Sequence, residues 1–230
     1  LNLVAHKVAP ALAVGAPIIL KPAPATPLSA LLLGEILAET NLPAGAWSVL
    51  PVGNELAAQM VKDERLPVIS FTGSDVVGYS IQQDVPHKHL TLELGGNAAA
   101  IVLDDWSSDQ DLDWAATRIA TFANYQAGQS CVSVQRVLIH ESLWSRLSAL
   151  IVEKTKQLAT GDVHDPATVV GPMINEAAAT RVESWVNQAV ASGATLLCGG
   201  IRDGSTYAPT VLTDVPADQP VVCSEVFGPV

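Results

Sequence analysis

Three observations on the sequence predict an α/β fold with parallel strands in two domains. Short apolar runs of about four to six residues alternate with helix-like segments of about eight to fourteen, which is typical of strands joined by crossover helices. The runs are mostly apolar, as expected for strands covered on both faces. The pattern stops at Gly95-Gly96 and then restarts. We therefore expect one domain over residues 1–95 and a second over residues 96–230.

In the first domain, apolar residues at helical spacing predict helices, and the short apolar runs between them predict strands. Thr26 and Pro27 are typical of a helix N-cap and of the first helical residue. The predicted elements are helix 3–13, strand 17–20, helix 27–40, strand 47–50, helix 55–62, strand 68–71, helix 75–82 and strand 90–93.

The second domain repeats this alternation with longer helices. The predicted elements are strand 98–103, helix 109–124, strand 133–140, helix 142–158, helix 175–191 and strand 194–198. The remainder of the chain is rich in proline and weakly patterned, so no further element is predicted there.

Composition limits the classes of function. Hydrophobic residues make up 49% of the 230 residues and charged residues 15%, so a sizeable core is expected and disorder is not. The formal net charge of −11, without a block of Lys or Arg, disfavours nucleic acids and anionic membranes as partners. Because no signal peptide or unbroken apolar span is found, a cytoplasmic location is the default expectation.

The cysteines and histidines give no metal-binding or disulfide pattern. Three cysteines form an odd, sparse set that predicts neither a disulfide framework nor paired metal ligands. The close pair His87 and His89 flanks Lys88, and we interpret it as part of a solvated turn. We therefore expect no bound metal.

Several polar or small residues follow predicted strands of the first domain, where parallel sheets bind ligands. They are Lys21, Gly53, Gly73-Ser74 and Glu93. Gly73-Ser74 opens a predicted helix and could seat a phosphate, since free N–H groups and the helix dipole favour an anion there. Lys21 is either a surface lysine or a partner for cofactor hydroxyls. The dinucleotide fingerprint GxGxxG is absent.

Cys131 is the candidate nucleophile of the second domain. Gly128, Gln129 and Ser130 precede it, and such residues allow the backbone to pass close to a ligand and to offer N–H groups to an oxyanion. The alternative is a buried, small apolar residue, which is the usual state of a cysteine. We interpret Cys198 as structural, while Cys223 lacks a comparable surrounding segment.

Glu93 is the candidate general base. It follows an apolar strand-like run and is expected to be half buried, an environment that suits a base working near neutral pH. The alternative is an ordinary salt bridge at the end of a strand. A thiolate that attacks carbon and a carboxylate that later activates water can together carry out a covalent reaction.

Seven segments, in order along nearly the whole chain, resemble motifs of the aldehyde dehydrogenase superfamily. They are APALA at 9–13 with Gly15, KPA at 21–23 with Thr26-Pro27, FTGS at 71–74, LELGGN at 92–97, GQSC at 128–131, Gly171-Pro172, and EVFGP at 225–229. The resemblance implies an incomplete Rossmann-like, parallel-sheet cofactor domain followed by an α/β catalytic domain. Because the chain begins at Leu1 inside a predicted helix, we interpret it as an internal segment of a longer chain.

The resemblance also implies a reaction. Cys131 would add to an aldehyde to give a thiohemiacetal, hydride would pass to NAD or NADP, and Glu93 would activate water to release a carboxylic acid. The implied cofactor-binding positions are Lys21, Pro24, Gly73, Ser74, Val77, Leu94, Glu225 and Phe227. Among them, Lys21 and Glu225 would each bind a ribose, Ser74 the pyrophosphate and Val77 the adenine side. Phe227 would pack beside the nicotinamide.

One departure bears on the choice of cofactor. Many NAD-preferring members of the superfamily carry a glutamate where this chain has Pro24. A carboxylate there would bind the ribose 2′-hydroxyl and repel a 2′-phosphate, so its absence leaves both NAD and NADP as candidates.

Other functions stay open at this point. A coenzyme A-acylating relative would share the fold and the thiol, although Glu93 favours hydrolysis. The chain could also be a folded segment without activity by itself, because the resemblance places the oxyanion-binding asparagine of the superfamily before Leu1. The residues around Cys131 are similar to those of members acting on small polar aldehydes, and the longer protein is expected to be a homodimer or homotetramer.

Overall fold

The computed structural model describes residues 2–230, which divide after Leu94 into a first unit and a second unit. The first unit contains two parallel strand pairs and the second unit one, with helices between the paired strands, so the predicted α/β class is confirmed. Within the described range, no helix is both long enough and apolar enough to span a membrane.

The first unit alternates four helices with four short strands. They are α1 (Asn2–Ala13), β1 (Ile18–Leu20), α2 (Leu28–Ala38), β2 (Trp47–Val49), α3 (Asn54–Lys62), β3 (Val68–Thr72), α4 (Asp75–Asp84) and β4 (His89–Glu93). Strand β1 pairs with β2 in parallel, and β3 pairs with β4 in parallel over five residues. The two ladders are separate in the described residues.

Two local details in this unit differ from the prediction. Helix α2 begins at Leu28, and Pro27 rather than Thr26 takes the N-cap position, without a side-chain cap. The Pro27 carbonyl oxygen accepts from the N–H groups of Ala30 and Leu31, both at 3.1 Å. His87 and His89 are exposed, as expected for a solvated turn, but Lys88 between them is buried, and its ammonium donates to the carbonyl oxygens of Val61 and Asp63 at 2.7 and 2.6 Å. Strand β4 begins directly afterwards, at His89. The two backbone carbonyl oxygens compensate the buried charge of Lys88.

The second unit has longer helices and more strands. They are β5 (Ala99–Val102), α5 (Asp109–Asn124), β6 (Arg136–Ile139), α6 (Trp144–Lys156), α7 (Glu176–Ala191), β7 (Thr195–Cys198), β8 (Arg202–Asp203), β9 (Thr206–Tyr207), β10 (Val211–Thr213) and α8 (Pro220–Cys223). Strands β5 and β6 are parallel, whereas β7 pairs with β10 and β8 with β9 in antiparallel fashion. Strands β8–β10 were not predicted, because runs of two or three residues carry no detectable period.

Two apolar clusters form the core of the second unit. Helices α5 and α6 pack together, with Leu112 and Leu147 fully buried between them. Helix α7 contributes Val182 to the other cluster, which also contains Tyr207 and Val226. The second cluster therefore anchors the C-terminal residues of the unit, where the EVFGP segment lies.

Tyr207 gives this second cluster a measurable pH dependence. Burial raises the pKa of the Tyr207 phenol from 10.0 to about 12. Because the unfolded chain releases this proton first, the stabilisation is fully present below pH 10 and is lost as the pH rises to about 12. We expect the free energy of unfolding of the parent to fall more steeply across this interval than that of Tyr207→Phe, measured by urea denaturation.

Tyr79→Phe is the matched control, because Tyr79 is exposed on α4. It should retain the pH dependence of the parent. Equal slopes for the parent and Tyr207→Phe would contradict the prediction.

Candidate functional site

The segment that leads to Cys131 has an unusual backbone. Helix α5 ends at Asn124 and is followed by a short 3₁₀ turn in which Gln126 and Ala127 have φ angles of 53° and 54°. Gly128 continues in the left-handed region with a φ of 66°. Two consecutive residues with side chains in this region are rare and cost free energy, so the surrounding contacts must hold the turn.

Close packing explains the glycine at position 128. A methyl group on Gly128 would overlap the carbonyl oxygen of Gly228, so only glycine lets these two backbones meet. Gly228 is itself confined, since a methyl group there would lie 2.6 Å from Val182 Cγ2. The thiol segment and the EVFGP segment are thus in direct backbone contact within the second unit.

Hydrogen bonds of neighbouring side chains fix the thiol segment further. The hydroxyls of Tyr125 and Ser130 lie 2.5 Å apart, and Gln129 accepts a bond from the Ile174 N–H at 2.9 Å. Cys131 itself is exposed, so the alternative of a buried, small apolar residue is wrong. Its side chain is accessible while the residues before it are held.

Glu225 lies beside the thiol segment, across the glycines at positions 95 and 96. Its carboxylate accepts a hydrogen bond from the Gly96 N–H at 3.1 Å, and a methyl group on Gly95 would overlap that carboxylate. A methyl group on Gly96 would come 3.3 Å from the carbonyl oxygen of Cys131. The second unit thus brings together the two predicted residues Cys131 and Glu225.

Arg181 is a further member of this group that sequence reasoning missed. It donates to the Val226 carbonyl oxygen at 2.7 Å and stacks on Trp185. Burial lowers the pKa of the Arg181 guanidinium, and the charge of Glu225 opposes that shift. The sequence did not predict the contacts of Arg181, because a single arginine on an amphipathic helix is usually interpreted as a solvated side chain.

Phe227 is 42% exposed and has a φ of 46°, a strained value for an aromatic residue. Its neighbours Val226 and Gly228 are buried. The fold therefore buries the residues on either side and directs the large ring of Phe227 outward, at the expense of backbone strain.

The three thiols have different surroundings. Burial raises the pKa of the half-buried Cys198 thiol, which fits the structural role predicted for it. Cys223 is exposed at the end of α8, with its sulfur 3.7 Å from the Asp218 carbonyl oxygen. Cys131 differs from Cys223 in following the left-handed turn at residues 126–128.

In the first unit, β3 and β4 end side by side. Thr72 is paired with Glu93, and the Gly73 N–H donates to the Glu93 carbonyl oxygen at 3.1 Å. The Glu93 side chain is exposed, so the prediction of a half-buried carboxylate is wrong. Successive side chains of a strand point to opposite faces, and in β4 it is Leu90 and Leu92 that face inward.

Lys7 is the charged neighbour of this strand end that sequence reasoning missed. Its ammonium donates to Ser70 Oγ at 2.9 Å. Burial lowers the pKa of Lys7, while the charge of Glu93 raises it. The residue lies on α1, far from Glu93 in sequence, and only the fold relates them.

The remaining predicted residues of the first unit lie at two places. Lys21 and Pro24 follow the end of β1, with Pro24 exposed. Ser74 caps α4 by accepting a bond from the Val77 N–H at 3.4 Å, and Val77 is exposed on the first turn. Leu94 packs so tightly on α4 that a methyl group on Gly78 would overlap it.

The described part of the chain offers no cluster of metal-ligating side chains. Across residues 2–230, no three His, Cys, Asp or Glu side chains are grouped so that they could hold a metal ion. The functional chemistry offered by these residues is that of an exposed thiol, carboxylates and a helix N-terminus.

These features, an α/β fold and an exposed thiol directly after a left-handed turn, place the chain among α/β proteins that carry an accessible cysteine. Comparison with known proteins then identifies the family. The model of the aldehyde dehydrogenase family matches residues 1–230, which is the whole chain. The chain belongs to the aldehyde dehydrogenase family.

Individual relatives agree with this assignment. The chain is 42% identical over 230 residues to a 3-sulfolactaldehyde dehydrogenase from Priestia aryabhattai, covering 100% of this chain and 47% of that protein. The structure of aldehyde dehydrogenase 21 from Physcomitrella patens in complex with succinate superposes with a TM-score of 0.95 at 48% identity, covering 100% and 47%. An aldehyde dehydrogenase from Mycobacterium tuberculosis with NAD⁺ gives 0.90 at 38% identity, covering 99% and 48%. The chain spans about half the length of these relatives.

The backbone contact at Gly128 can be tested by adding one methyl group. We expect Gly128→Ala to lower the free energy of unfolding by more than about 1 kcal/mol, because the methyl meets both a left-handed φ and the Gly228 carbonyl. Urea denaturation measures this change.

Gly161→Ala is the matched control. The nearest heavy atom to its added methyl group would be 3.7 Å away, an ordinary contact. Its effect should stay within about 1 kcal/mol. Equal effects of the two substitutions would contradict the close approach at Gly128.

Proposed function

We propose that this protein is an NAD(P)-dependent aldehyde dehydrogenase that oxidises an aldehyde to a carboxylic acid through a thioester on Cys131. The observation that carries the proposal is the exposed Cys131 thiol, which follows the left-handed turn in a segment that lies, like the Glu225 carboxylate, against Gly96. Family membership supports the reaction class. Because the chain spans about half of its relatives, the activity is proposed for the full-length protein.

Cys131 is proposed as the nucleophile. Its thiolate adds to the carbonyl carbon of the aldehyde, and the resulting oxyanion needs a hydrogen-bond donor. Within residues 2–230 the Cys131 N–H has no backbone acceptor, so it is available for that oxyanion. The bonds of Tyr125 with Ser130 and of Gln129 with Ile174 keep this N–H in place without solvent reorganisation.

NAD or NADP, when bound, supplies the hydride acceptor that converts the Cys131 adduct into a thioester. We propose that Glu225 binds the nicotinamide ribose, for which its partly exposed carboxylate offers acceptor oxygens. The outward Phe227 ring offers an apolar face for the nicotinamide. The bond from Gly96 keeps Glu225 oriented.

The first unit supplies the proposed contacts to the rest of the cofactor. The exposed Gly73 and Ser74 at the start of α4 fit a pyrophosphate, since helix N-termini favour anions. The exposed Val77 on the same turn fits the adenine side, with Leu94 packed beneath α4. Lys21 is proposed to bind a ribose hydroxyl.

Pro24 leaves both cofactors possible. It carries no charge to repel a 2′-phosphate and no carboxylate to bind a 2′-hydroxyl. The NAD⁺ complex of the Mycobacterium tuberculosis relative supports NAD, and Pro24 is compatible with NADP.

Glu93 is proposed to activate the water that hydrolyses the thioester. Its exposure at the end of β4 allows a water molecule to approach the carboxylate. Proton removal by Glu93 turns water into a nucleophile, the thioester carbon–sulfur bond breaks, and Cys131 leaves as the thiolate. The products are a carboxylic acid and the free enzyme.

A small aldehyde that carries a second polar or anionic group is the proposed substrate class. The Priestia relative is a 3-sulfolactaldehyde dehydrogenase, and the Physcomitrella structure holds succinate. Both names describe short-chain molecules with an added anionic group. We propose coenzyme A acylation only as the alternative fate of the same thioester.

The nucleophile can be tested with alanine substitutions in the full-length protein. We expect Cys131→Ala to lower kcat/KM for aldehyde-dependent NAD(P)H formation at least about 10³-fold, because the covalent step is lost. Absorbance of the reduced cofactor at steady state measures this.

Cys223→Ala is the matched control, since Cys223 is also an exposed thiol of the second unit. It should keep most of the parent activity. Activity in Cys131→Ala equal to that of the parent would refute the proposed nucleophile. Formation of an acyl-coenzyme A product in place of the free acid would favour the alternative function.

A further inference from the structure

The side chain of Gln135 bridges three backbone groups around Glu225. Its Nε2 donates to the carbonyl oxygens of Ser224 and Val221 at 2.7 and 3.1 Å, and its Oε1 accepts from the Val226 N–H at 2.8 Å. Ser224 and Val226 are the residues directly before and after Glu225. The amide therefore holds the backbone on both sides of that carboxylate.

We infer that Gln135 is the positioning residue that sets the orientation of Glu225 for the nicotinamide ribose. This inference rests on the proposed role of Glu225 in cofactor binding. Gln135 precedes β6, which is part of the parallel β5–β6 pair, so the clamp ties Glu225 to a regular element. A small displacement of a group that binds a ligand is costly, because the correct geometry is no longer preorganised.

Only an amide satisfies all three backbone groups. The two carbonyl oxygens need a donor and the Val226 N–H needs an acceptor, and a glutamine side chain provides both. A glutamate would keep the acceptor but would place a negative charge against two carbonyl oxygens. A methionine would offer neither strong donor nor strong acceptor at nearly the same length.

Other contacts hold the same segment at different points. Asn97 donates to the Val222 carbonyl oxygen at 2.6 Å, and Arg181 donates to the Val226 carbonyl oxygen at 2.7 Å. These bonds fix the segment as a whole, so the loss of the Gln135 bonds should tilt Glu225 without releasing the segment.

The thiol segment is held by bonds that do not involve Gln135. The Tyr125–Ser130 and Gln129–Ile174 bonds remain when Gln135 is changed. The inference therefore predicts a separation: cofactor binding weakens while the reactivity of Cys131 in the absence of cofactor stays the same. A general structural role of Gln135 would change both.

The test compares Gln135→Glu with the parent in the full-length protein. We expect the KM for NAD or NADP to rise about tenfold or more, because two hydrogen bonds are lost and a charge repulsion is added. The KM for the aldehyde and the rate of Cys131 alkylation by iodoacetamide without cofactor should stay within about twofold.

Gln110→Glu is the matched control, because it makes the same change of charge at an exposed position in the first turn of α5. It should leave the cofactor KM unchanged. A tenfold rise for this variant too would mean that net charge, and not the clamp, weakens binding, and would overturn the inference.

Gln135→Met gives a readout that does not depend on activity. Hydrogen–deuterium exchange of the Val226 N–H should become faster in Gln135→Met than in Gln135→Glu, which retains the acceptor. If the parent protein shows no aldehyde-dependent NAD(P)H formation, the proposed function is refuted. The exchange rate of the Val226 N–H then still shows whether Gln135 holds the segment.

Two further results would overturn the inference. One is a cofactor KM within twofold of the parent in both Gln135 variants, with unchanged exchange of the Val226 N–H. The other is a parallel change of cofactor KM and Cys131 alkylation in both variants, since that pattern belongs to a residue needed only for folding.

Discussion

The second unit depends on one contact that only glycine permits, where the backbone of Gly128 meets the carbonyl of Gly228. The left-handed turn at residues 126–128 brings the chain to this contact, and two of its residues carry side chains in a costly conformation. Burial of Val182 and Val226 in the same core cluster offsets that cost. The strain is thus located directly before the exposed thiol.

The backbone of the segment around Glu225 is held mainly by hydrogen bonds from side chains. The segment around Glu225 forms no strand, so its carbonyl and N–H groups need other partners. Gln135 and Asn97, which precede β6 and β5, and Arg181 on α7 supply those partners. Side chains of fixed length give the segment one position, which suits the cofactor contact proposed for Glu225.

Much of the fold follows from local pattern, and the remainder depends on contacts distant in sequence. Helix α5 was predicted over the observed residues because its caps and apolar spacing are local. Strands β8 to β10 were not predicted, because strands of two or three residues are too short to show an alternation of polar and apolar residues. The motifs pointed to Cys131 and Glu225 as candidate site residues, whereas the contacts of Gln135 and Arg181 became visible only in the fold, since each bonds to backbone far along the chain. Glu93 was placed correctly at a strand end, but its exposure depends on which face of β4 the core covers.

The covalent intermediate tests the central claim most directly. In the full-length protein, Glu93→Gln should slow hydrolysis of the thioester, so that an acyl group accumulates after mixing with aldehyde and cofactor. Peptide mass spectrometry of the quenched reaction should then find the added acyl mass on the peptide that contains Cys131. The account is contradicted if the acyl group is found on Cys198 or Cys223, or if aldehyde is turned over with no acyl group on any thiol.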